Sequence, residues 1–316
     1  MKKLTAIIFI MILAISFCSC QNTSSITKQA FYFDTLISIT TDQKYVKQAE
    51  NAFSVCSELE NTFSRTKEGS ELWLLNNKKL TSLSPDLRNV LDFSLSVSSM
   101  TDGAFDITIA PLCDLWNVKE RTAPPHKEDI QKLLPLVNYK KVSLNPLNTN
   151  DASIDLGAVA KGYAADIITK HLKDNGVKNA IIDLGGNISL IGEYTVGIRN
   201  PFNPDSLYAK ISLKNKSAVT SGAYQRYFEY EGKRYHHIID PRTGSCADQG
   251  ILSVTVISGS SMEADALSTA IYVMGESGIK LLENFPDTDA LLITEKGTVI
   301  TTAGFKEKYQ LELFEK

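Results

Sequence analysis

The chain is poor in the residues that most often mark a metal centre or a nucleophilic enzyme. It has four histidines and five cysteines in 316 residues. Cys56, Cys113 and Cys246 stand far apart, so neither a zinc spacing nor the dense even set of a disulfide-stapled domain is present. Buried free thiols are the expectation for these three. A G-x-x-x-x-G-K-[ST] phosphate loop is missing, and so is a G-x-S-x-G nucleophile elbow. No basic stripe exists: 33 Lys and Arg are interspersed with 36 Asp and Glu for a net charge of −3, which argues against a nucleic-acid partner. Internal repeats and low-complexity tracts are likewise missing.

One long apolar run does occur. "LTAIIFIMILAIS" (4–16) follows Lys2-Lys3, is short for a membrane span, and leads into "FCSC" and the polar "QNTSS". This resembles a bacterial lipoprotein signal occupying residues 1–19, with cleavage before Cys20 and lipid on its sulfur; plain secretion and an uncleaved anchor are the alternatives. Loss of Lys2 and Lys3 would leave a more acidic body, which favours tethering by lipid over tethering by charge at an anionic membrane. Residues 20–30 read as a polar tether, and 31–316 as the functional domain.

The remainder is ordinary globular material, 43 % hydrophobic and 22 % charged. "FYFDTLISITT" (31–41) alternates as a strand does. From a Thr41-Asp42 cap, Val46, Ala49, Ala52, Phe53, Cys56, Leu59 and Phe63 recur at helical spacing. Ser84-Pro85 opens a second helix, which stops near Asp102-Gly103. "TDGAFDITIAPL" (101–112) reads as a glycine turn into a strand. A short helix is expected around 127–134, and a longer one from Ala160 to Asn175-Gly176. "AIIDL" (180–184) and "ILSVTVIS" (251–258) read as buried strands, the latter followed by a helix around 262–274, and 290–304 as a closing hairpin. Strands and helices mix without strict alternation, so the fold class is α+β: mixed β-sheets with packed helices, in one globular unit of one or two lobes.

Four stretches carry groups capable of chemistry. In "EADALSTA" (263–270), Asp265 and Thr269 lie four apart on one helix face, where a carboxylate and a hydroxyl offer hard oxygens suited to Mg²⁺ or Ca²⁺. The plainer reading is an acidic first turn and a threonine bonded to a carbonyl. "DLGAVAKGYAAD" (155–166) sets Asp155 and Gly157 ahead of a helix whose first turn holds Lys161, a possible anion site or simply a capped helix. Asp106 sits between apolar neighbours in the 101–112 stretch. "RYHHIIDP" (234–241) ends a strand on an Asp-Pro corner. There His237 is the candidate for chemistry, and His236, pointing the other way, is structural.

In order, "SELWLLN" (70–76), "GAFDITIAPL" (103–112), "DLGAVAKGYAAD", "IDLGGN" (182–187), "TSGAYQRYF" (220–228), "HIIDPRTG" (237–244) and "ADALSTA" (264–270) resemble the motif series of the FAD:protein FMN transferases, the ApbE-like flavin transferases. The resemblance spans roughly residues 30–305. It implies cleavage of FAD, transfer of the FMN half to a Thr or Ser hydroxyl of a target flavoprotein through a phosphoester, and departure of AMP. It implies Mg²⁺ on the Asp265 carboxylate, the Thr269 hydroxyl and the Ala158 carbonyl. FAD, as substrate, would lie against Ala104, Phe105, Asp106, Asp155 and Lys161, with His237 near the pyrophosphate to orient or deprotonate the incoming hydroxyl or to stabilise the leaving AMP. Asp265 and His237 are thus the expected catalytic pair.

Two departures stand out. Phe33-Asp34-Thr35 replaces a frequent Met-Gly-Thr, and Thr66 replaces a frequent aromatic; Phe33 retains a ring that could stack, and Thr66 does not. The resemblance further implies an acceptor among membrane redox subunits and an extracytoplasmic, lipid-anchored location on a bacterial membrane. Two alternatives remain at this level: hydrolysis of FAD to FMN and AMP by the same site, and a lipid-anchored flavin-binding protein without turnover.

Overall fold

The computed structural model describes residues 24–314; the proposed signal and Cys20 lie outside the described residues. Strand β1 (Ser25–Tyr32) turns back into β2 (Thr35–Asp42). The two turn residues, Phe33 and Asp34, have φ of 52° and 57°, the left-handed pair that a tight hairpin requires. The 31–41 stretch is therefore a hairpin rather than one strand, and the supposed tether is strand from Ser25 onward. β1 is an edge strand whose outward residues are exposed, so its polar sequence hides it.

A 3₁₀ turn, Gln43–Tyr45, delays helix α1 (Val46–Phe63), and Asp42 gives it no side-chain cap. Ser70 caps α2 (Glu71–Asn76) through the Trp73 amide, and Ser84 caps α3 (Pro85–Met100) through the Leu87 amide, with Pro85 in the first turn. α4 (Ala110–Trp116) and α5 (Lys127–Leu133) follow, then a two-residue hairpin of β3 (Ser143–Leu144) and β4 (Leu147–Asn148). The 103–109 stretch is not a strand. Gly103 has φ +77°, and the Asp106 carboxylate accepts from the Thr108 amide at 2.8 Å, closing a turn on itself. One bridge, Ile109 to Ser153, is all that is left of the expected pairing. The alternation of Phe105, Ile107 and Ile109 mimics a strand because a compact turn buries Phe105 and Ile107 in the main core and packs Ile109 against the third one.

Helix α6 (Ala160–Asp174) leads into β5 (Ala180–Leu184), β6 (Asn187–Ile191), β7 (Glu193–Arg199), β8 (Leu207–Lys214) and β9 (Ser217–Gly222). A small hairpin, β10 (Tyr227–Tyr230) with β11 (Lys233–His236), precedes β12 (Ile251–Ser258) and helix α7 (Ser261–Met274). A 3₁₀ stretch, Gly275–Asn284, then gives way to β13 (Asp289–Thr294), β14 (Val299–Thr301), α8 (Phe305–Tyr309) and β15 (Glu312–Leu313).

The main sheet has eight strands in the order β1-β2-β5-β6-β9-β12-β13-β14, and every neighbouring pair is antiparallel. Both faces are covered, which is why β13 reads as an unbroken apolar run. Ala290 and Leu292 face the helices α1, α3, α6 and α7, while Leu291 and Ile293 face the small sheet β15-β8-β7 and α8. A third, smaller core joins α4 and α5 to the β10–β11 hairpin through Leu112, Trp116, Ile130 and Ile239. The architecture is α+β in a single unit with one large core and two satellites.

Two features of this frame can be tested. Helices α6 and α7 cross at Gly162: a Cβ there would stand 2.8 Å from Asp265 Cβ and from Met262 Cα, and closer still to the Ser261 carbonyl oxygen. Two helix backbones cannot yield cheaply, so Gly162→Ala should cost about 3 kcal/mol or more, read as a fall in the thermal or denaturant midpoint. A result near zero would mean that the helices part freely. The second concerns His236, buried at 7 % exposure, whose Nε2 meets the Ala247 carbonyl at 3.0 Å. Burial pushes its imidazole down to about 4 from an ordinary 6.5. Below pH 6.5 the unfolded chain takes up a proton that the folded chain refuses, so stability falls as pH drops towards 4, by about 3 kcal/mol in all. Denaturant titrations should show His236→Gln losing about that much less than the parent between pH 7 and pH 4; equal losses would contradict the assignment.

Candidate active site

The site is built where α6 meets α7. Without a side chain, Gly162 lets its amide reach across and donate to Asp265 Oδ2 at 2.9 Å. A regular helix would spend that amide on the carbonyl of Ala158; among the described residues no backbone amide takes its place, so the Ala158 oxygen is left with accepting capacity. One turn further along α6, Asp166 caps α7 by accepting from Ser260 Oγ at 2.7 Å, the Ser261 amide at 2.7 Å and the Met262 amide at 3.0 Å. Burial pushes the Asp166 carboxyl up, and these hydrogen bonds pull against it. Two contacts from one face of α6 thus set both the distance and the start of α7.

Asp265 is 4 % exposed. Its Oδ2 lies 3.7 Å from the Lys161 ammonium, which also donates to the Gly157 carbonyl at 3.2 Å. Thr269, a turn beyond Asp265, is half-buried, and its hydroxyl oxygen lies 3.2 Å from Ser221 Oγ on β9. The hydroxyl is not bonded to a backbone carbonyl. Asp265 thus lies at the α6–α7 junction with Lys161 beside it, while Thr269 stands one turn along α7 and Ala158 one turn ahead of Gly162. Asp265, Thr269 and Ala158 bring one carboxylate, one hydroxyl and one carbonyl. Among the described residues no three His, Cys, Asp or Glu side chains gather as a metal site. The donors here are all oxygens, the kind that suits a hard divalent ion completed by water or substrate oxygens, and the Lys161 contact shows that Asp265 attracts positive charge.

His237 follows β11 and is held by the Arg226 carbonyl, which accepts from its amide at 3.1 Å and lies 3.3 Å from its Nδ1. A carbonyl has no proton to give, so Nδ1 carries the hydrogen and Nε2 keeps its lone pair. Burial, then the Arg226 charge and in lesser part those of His236 and Lys161, push the imidazole down to about 3. His237 is therefore neutral, and its side chain is half-buried. His236 has both nitrogens engaged, Nε2 by the Ala247 carbonyl and Nδ1 by the Ile238 amide at 3.3 Å. The corner beyond is rigid. Asp240 accepts from the Arg242 amide at 2.9 Å and from its guanidinium at 2.9 and 2.8 Å, and Trp116 Nε1 donates to the Gly244 carbonyl at 2.7 Å.

The remaining predicted residues lie on the 103–109 turn and on the loop that leads into α6. Ala104 and Phe105 are 1 % and 4 % exposed and pack into the main core. Asp106 is buried, and protein donors hold both its oxygens: the Thr108 amide and hydroxyl on Oδ1, the Tyr139 amide on Oδ2 at 2.8 Å. Burial raises its carboxyl against those bonds. Its residue borders a cleft of about 190 Å³ shared with Tyr139, Pro241 and Arg242, so the turn and the corner after His237 face one another. Asp155 accepts from the Gly157 amide at 2.7 Å and pairs with Arg65 Nε at 2.6 Å, and its own amide donates to the Ile107 carbonyl at 2.8 Å. That last bond joins the Asp106 turn to the start of the α6 motif.

Sequence reasoning missed Arg65, Asp166 and Ser221. Arg65 joins Asp155 to Asp114, at 2.6 and 2.7 Å. Burial works against its charge, and Asp155 and Asp114 outweigh burial, so the guanidinium is held above its ordinary range. Its neighbour Thr66, at the position that lacks an aromatic, reaches only Ser64 Oγ, at 3.4 Å. The Phe33 ring packs against the main core from the β1–β2 turn. Asp166 did have a signal, its place one turn from Gly162 on the same face; its partners lie about a hundred residues away, where no local pattern points.

The chain resembles known proteins along most of its length. The sequence pattern of the ApbE family matches residues 33–292. A FAD:protein FMN transferase of Klebsiella pneumoniae (strain 342) is 33 % identical over 267 residues, covering 81 % of this chain and 84 % of the relative. One from Treponema pallidum (strain Nichols) is 33 % identical over 293 residues, covering 83 % and 81 %. The crystal structure of the ApbE protein of Thermotoga maritima superposes with a TM-score of 0.81 at 30 % identity, covering 90 % of this chain and 99 % of that one. The flavin transferase ApbE of Vibrio cholerae shares the fold, with a TM-score of 0.80 at 24 % identity over 90 % and 99 % of the two chains. With the pattern matched across most of its length and relatives at one-third identity, the chain belongs to the ApbE family.

Proposed function

We propose that this protein transfers the FMN half of FAD to a Thr or Ser hydroxyl of an acceptor flavoprotein. The acceptor oxygen attacks the FMN-side phosphorus, the phosphoanhydride bond to the other phosphorus breaks, and AMP departs with the bridging oxygen. The observation that carries this reading is the α6–α7 crossing, where the buried Asp265 carboxylate meets the Gly162 amide and the Lys161 ammonium, with Thr269 one turn along α7 and the Ala158 carbonyl relieved of its helical amide. A diphosphate needs cationic partners and a poised base; the crossing offers the first and the neutral His237 the second.

Asp265, Thr269 and Ala158 would hold Mg²⁺, which supplies charge neutralisation to the phosphates when bound. Lys161 faces the same charge and holds the phosphates from the α6 side. His237, with Nε2 free and Nδ1 fixed on Arg226, takes the proton of the incoming hydroxyl. Its imidazole is depressed by burial and neighbouring cations, and phosphate charge set against those cations lifts it towards the range useful for a base. Arg65 fixes Asp155, which would help to hold the dinucleotide, and the rigid corner at Asp240 keeps His237 from drifting. The apolar run at 4–16 and Cys20 support a further part of the proposal, that lipid holds the enzyme on the outer face of a bacterial membrane beside a membrane-bound acceptor.

The direct test is to incubate the protein with FAD, Mg²⁺ and an acceptor domain and to weigh the acceptor by mass spectrometry. Addition of one FMN with equimolar AMP is expected; AMP and free FMN with no adduct would make the protein a hydrolase instead. His237→Ala should slow transfer about 100-fold or more while FAD binding, followed by flavin fluorescence, stays within a few-fold. Undiminished transfer by that variant would remove His237 from the reaction.

A further inference from the structure

Thr269 is one member of a chain of hydroxyls whose direction can be worked out. Its Oγ1 lies 3.2 Å from Ser221 Oγ on β9. Ser221 Oγ lies 2.9 Å from Ser268 Oγ, and Ser268 Oγ donates to the Asp265 backbone carbonyl at 2.9 Å. Each hydroxyl has one proton to give. A carbonyl has none, so the far end of the chain is fixed: Ser268 spends its proton on Asp265. It then meets Ser221 only as an acceptor, and Ser221 spends its proton there. Ser221 in turn meets Thr269 only as an acceptor, so the Thr269 proton points to β9 and both lone pairs of its oxygen are left to accept on the other side. A helical threonine ordinarily returns its hydroxyl to the carbonyl four residues back, which here is that of Asp265, and Ser268 already bonds that oxygen.

We infer that Ser221 and Ser268 are positioning residues that hold Thr269 as an acceptor-only oxygen aimed at a hard divalent cation. Neither serine needs to touch substrate. Ser268 is fully buried and Ser221 is 9 % exposed, so little water competes for these protons, and the chain keeps one direction. The inference rests on the metal reading proposed above, and goes beyond it in naming how the threonine is oriented and by which residues. A hydroxyl free to rotate would present its proton to the cation for part of the time; one pinned through Ser221 does not. The Asp265 residue thereby serves twice, its carboxylate towards the cation and its carbonyl as the anchor of the hydroxyl chain.

The experiment measures Mn²⁺ affinity by electron paramagnetic resonance on the full protein without FAD, so that no turnover is involved. Ser221→Ala should weaken Mn²⁺ binding about tenfold, in the range typical of partners that orient a metal ligand. In a Thr269→Val background, where no hydroxyl remains to be turned, the same Ser221→Ala change should have no further effect. An unchanged affinity for Ser221→Ala, or an equal loss in both backgrounds, overturns the inference. Asp265→Asn is measured alongside: a large loss there with Ser221→Ala unchanged sinks the positioning role alone, whereas full Mn²⁺ affinity in Asp265→Asn sinks the metal reading itself. Should Ser221→Ala fail to fold, judged by its thermal melt, Ser268→Ala breaks the chain one link further on; it should give a smaller loss that also vanishes in the Thr269→Val background, and no loss would count against the inference.

Discussion

One hydrogen bond, from the Gly162 amide to the Asp265 carboxylate, organises the rest of the site. It exists because a glycine lets two helix backbones approach more closely than any side chain would permit. A carboxylate buried at 4 % exposure costs several kcal/mol unless something compensates it, and the amide together with the Lys161 ammonium supplies that compensation. The same bond takes the amide away from the Ala158 carbonyl, so packing α6 against α7 also prepares an oxygen at the junction. Asp166 completes the arrangement by capping α7 from the same face of α6. Core packing and site construction are therefore one event here.

The second half of the site is carried by a different core. The β10–β11 hairpin, α4 and α5 share the small apolar cluster around Trp116 and Ile239, and the Trp116 indole ties the corner after His237 to it. His237 is thus mounted on a body distinct from the α6–α7 junction, and the Asp106 turn bridges them: it borders the same cleft as Pro241 and Arg242, and through Ile107 it bonds Asp155 at the entrance to α6. A dinucleotide lying across this boundary would meet oxygen ligands and Lys161 from one side and a neutral imidazole from the other. Arg65 ties α1's end, α4 and the Asp155 loop together by charge, which keeps the two bodies in register.

What the sequence made legible was local chemistry. Ser84-Pro85 announced α3 because cap and proline act within one turn, and Asp265 with Thr269 announced an oxygen pair because four residues make a helical turn. The long apolar strands β5 and β12 were equally plain. What failed was chemistry supplied from a distance, or disguised. β1 is polar because it lies at a sheet edge with one face in water. The 103–109 turn alternates as a strand does, and only the Asp106 carboxylate folding back on Thr108 distinguishes it. The hairpin turn at Phe33-Asp34 uses left-handed residues that carry no Gly or Asn to mark them. Arg65 and Ser221 find their partners in segments remote in sequence, so neither spacing nor composition could single them out, and for Asp166 the one-turn spacing from Gly162 could mark the face but not its partners at the start of α7. The family resemblance, carried by seven motifs in order, reached the activity where the individual residues did not.

The proposed chemistry requires a divalent ion and the phosphates of FAD to meet at the α6–α7 crossing. The most direct measurement is anomalous diffraction at the manganese edge from crystals grown with Mn²⁺ and FAD. A single strong peak bounded by the Asp265 carboxylate, the Thr269 hydroxyl and the Ala158 carbonyl, with the diphosphate beside it, is the predicted result. Bound FAD with its phosphates remote from Asp265, or a manganese peak elsewhere in the molecule, would contradict the account.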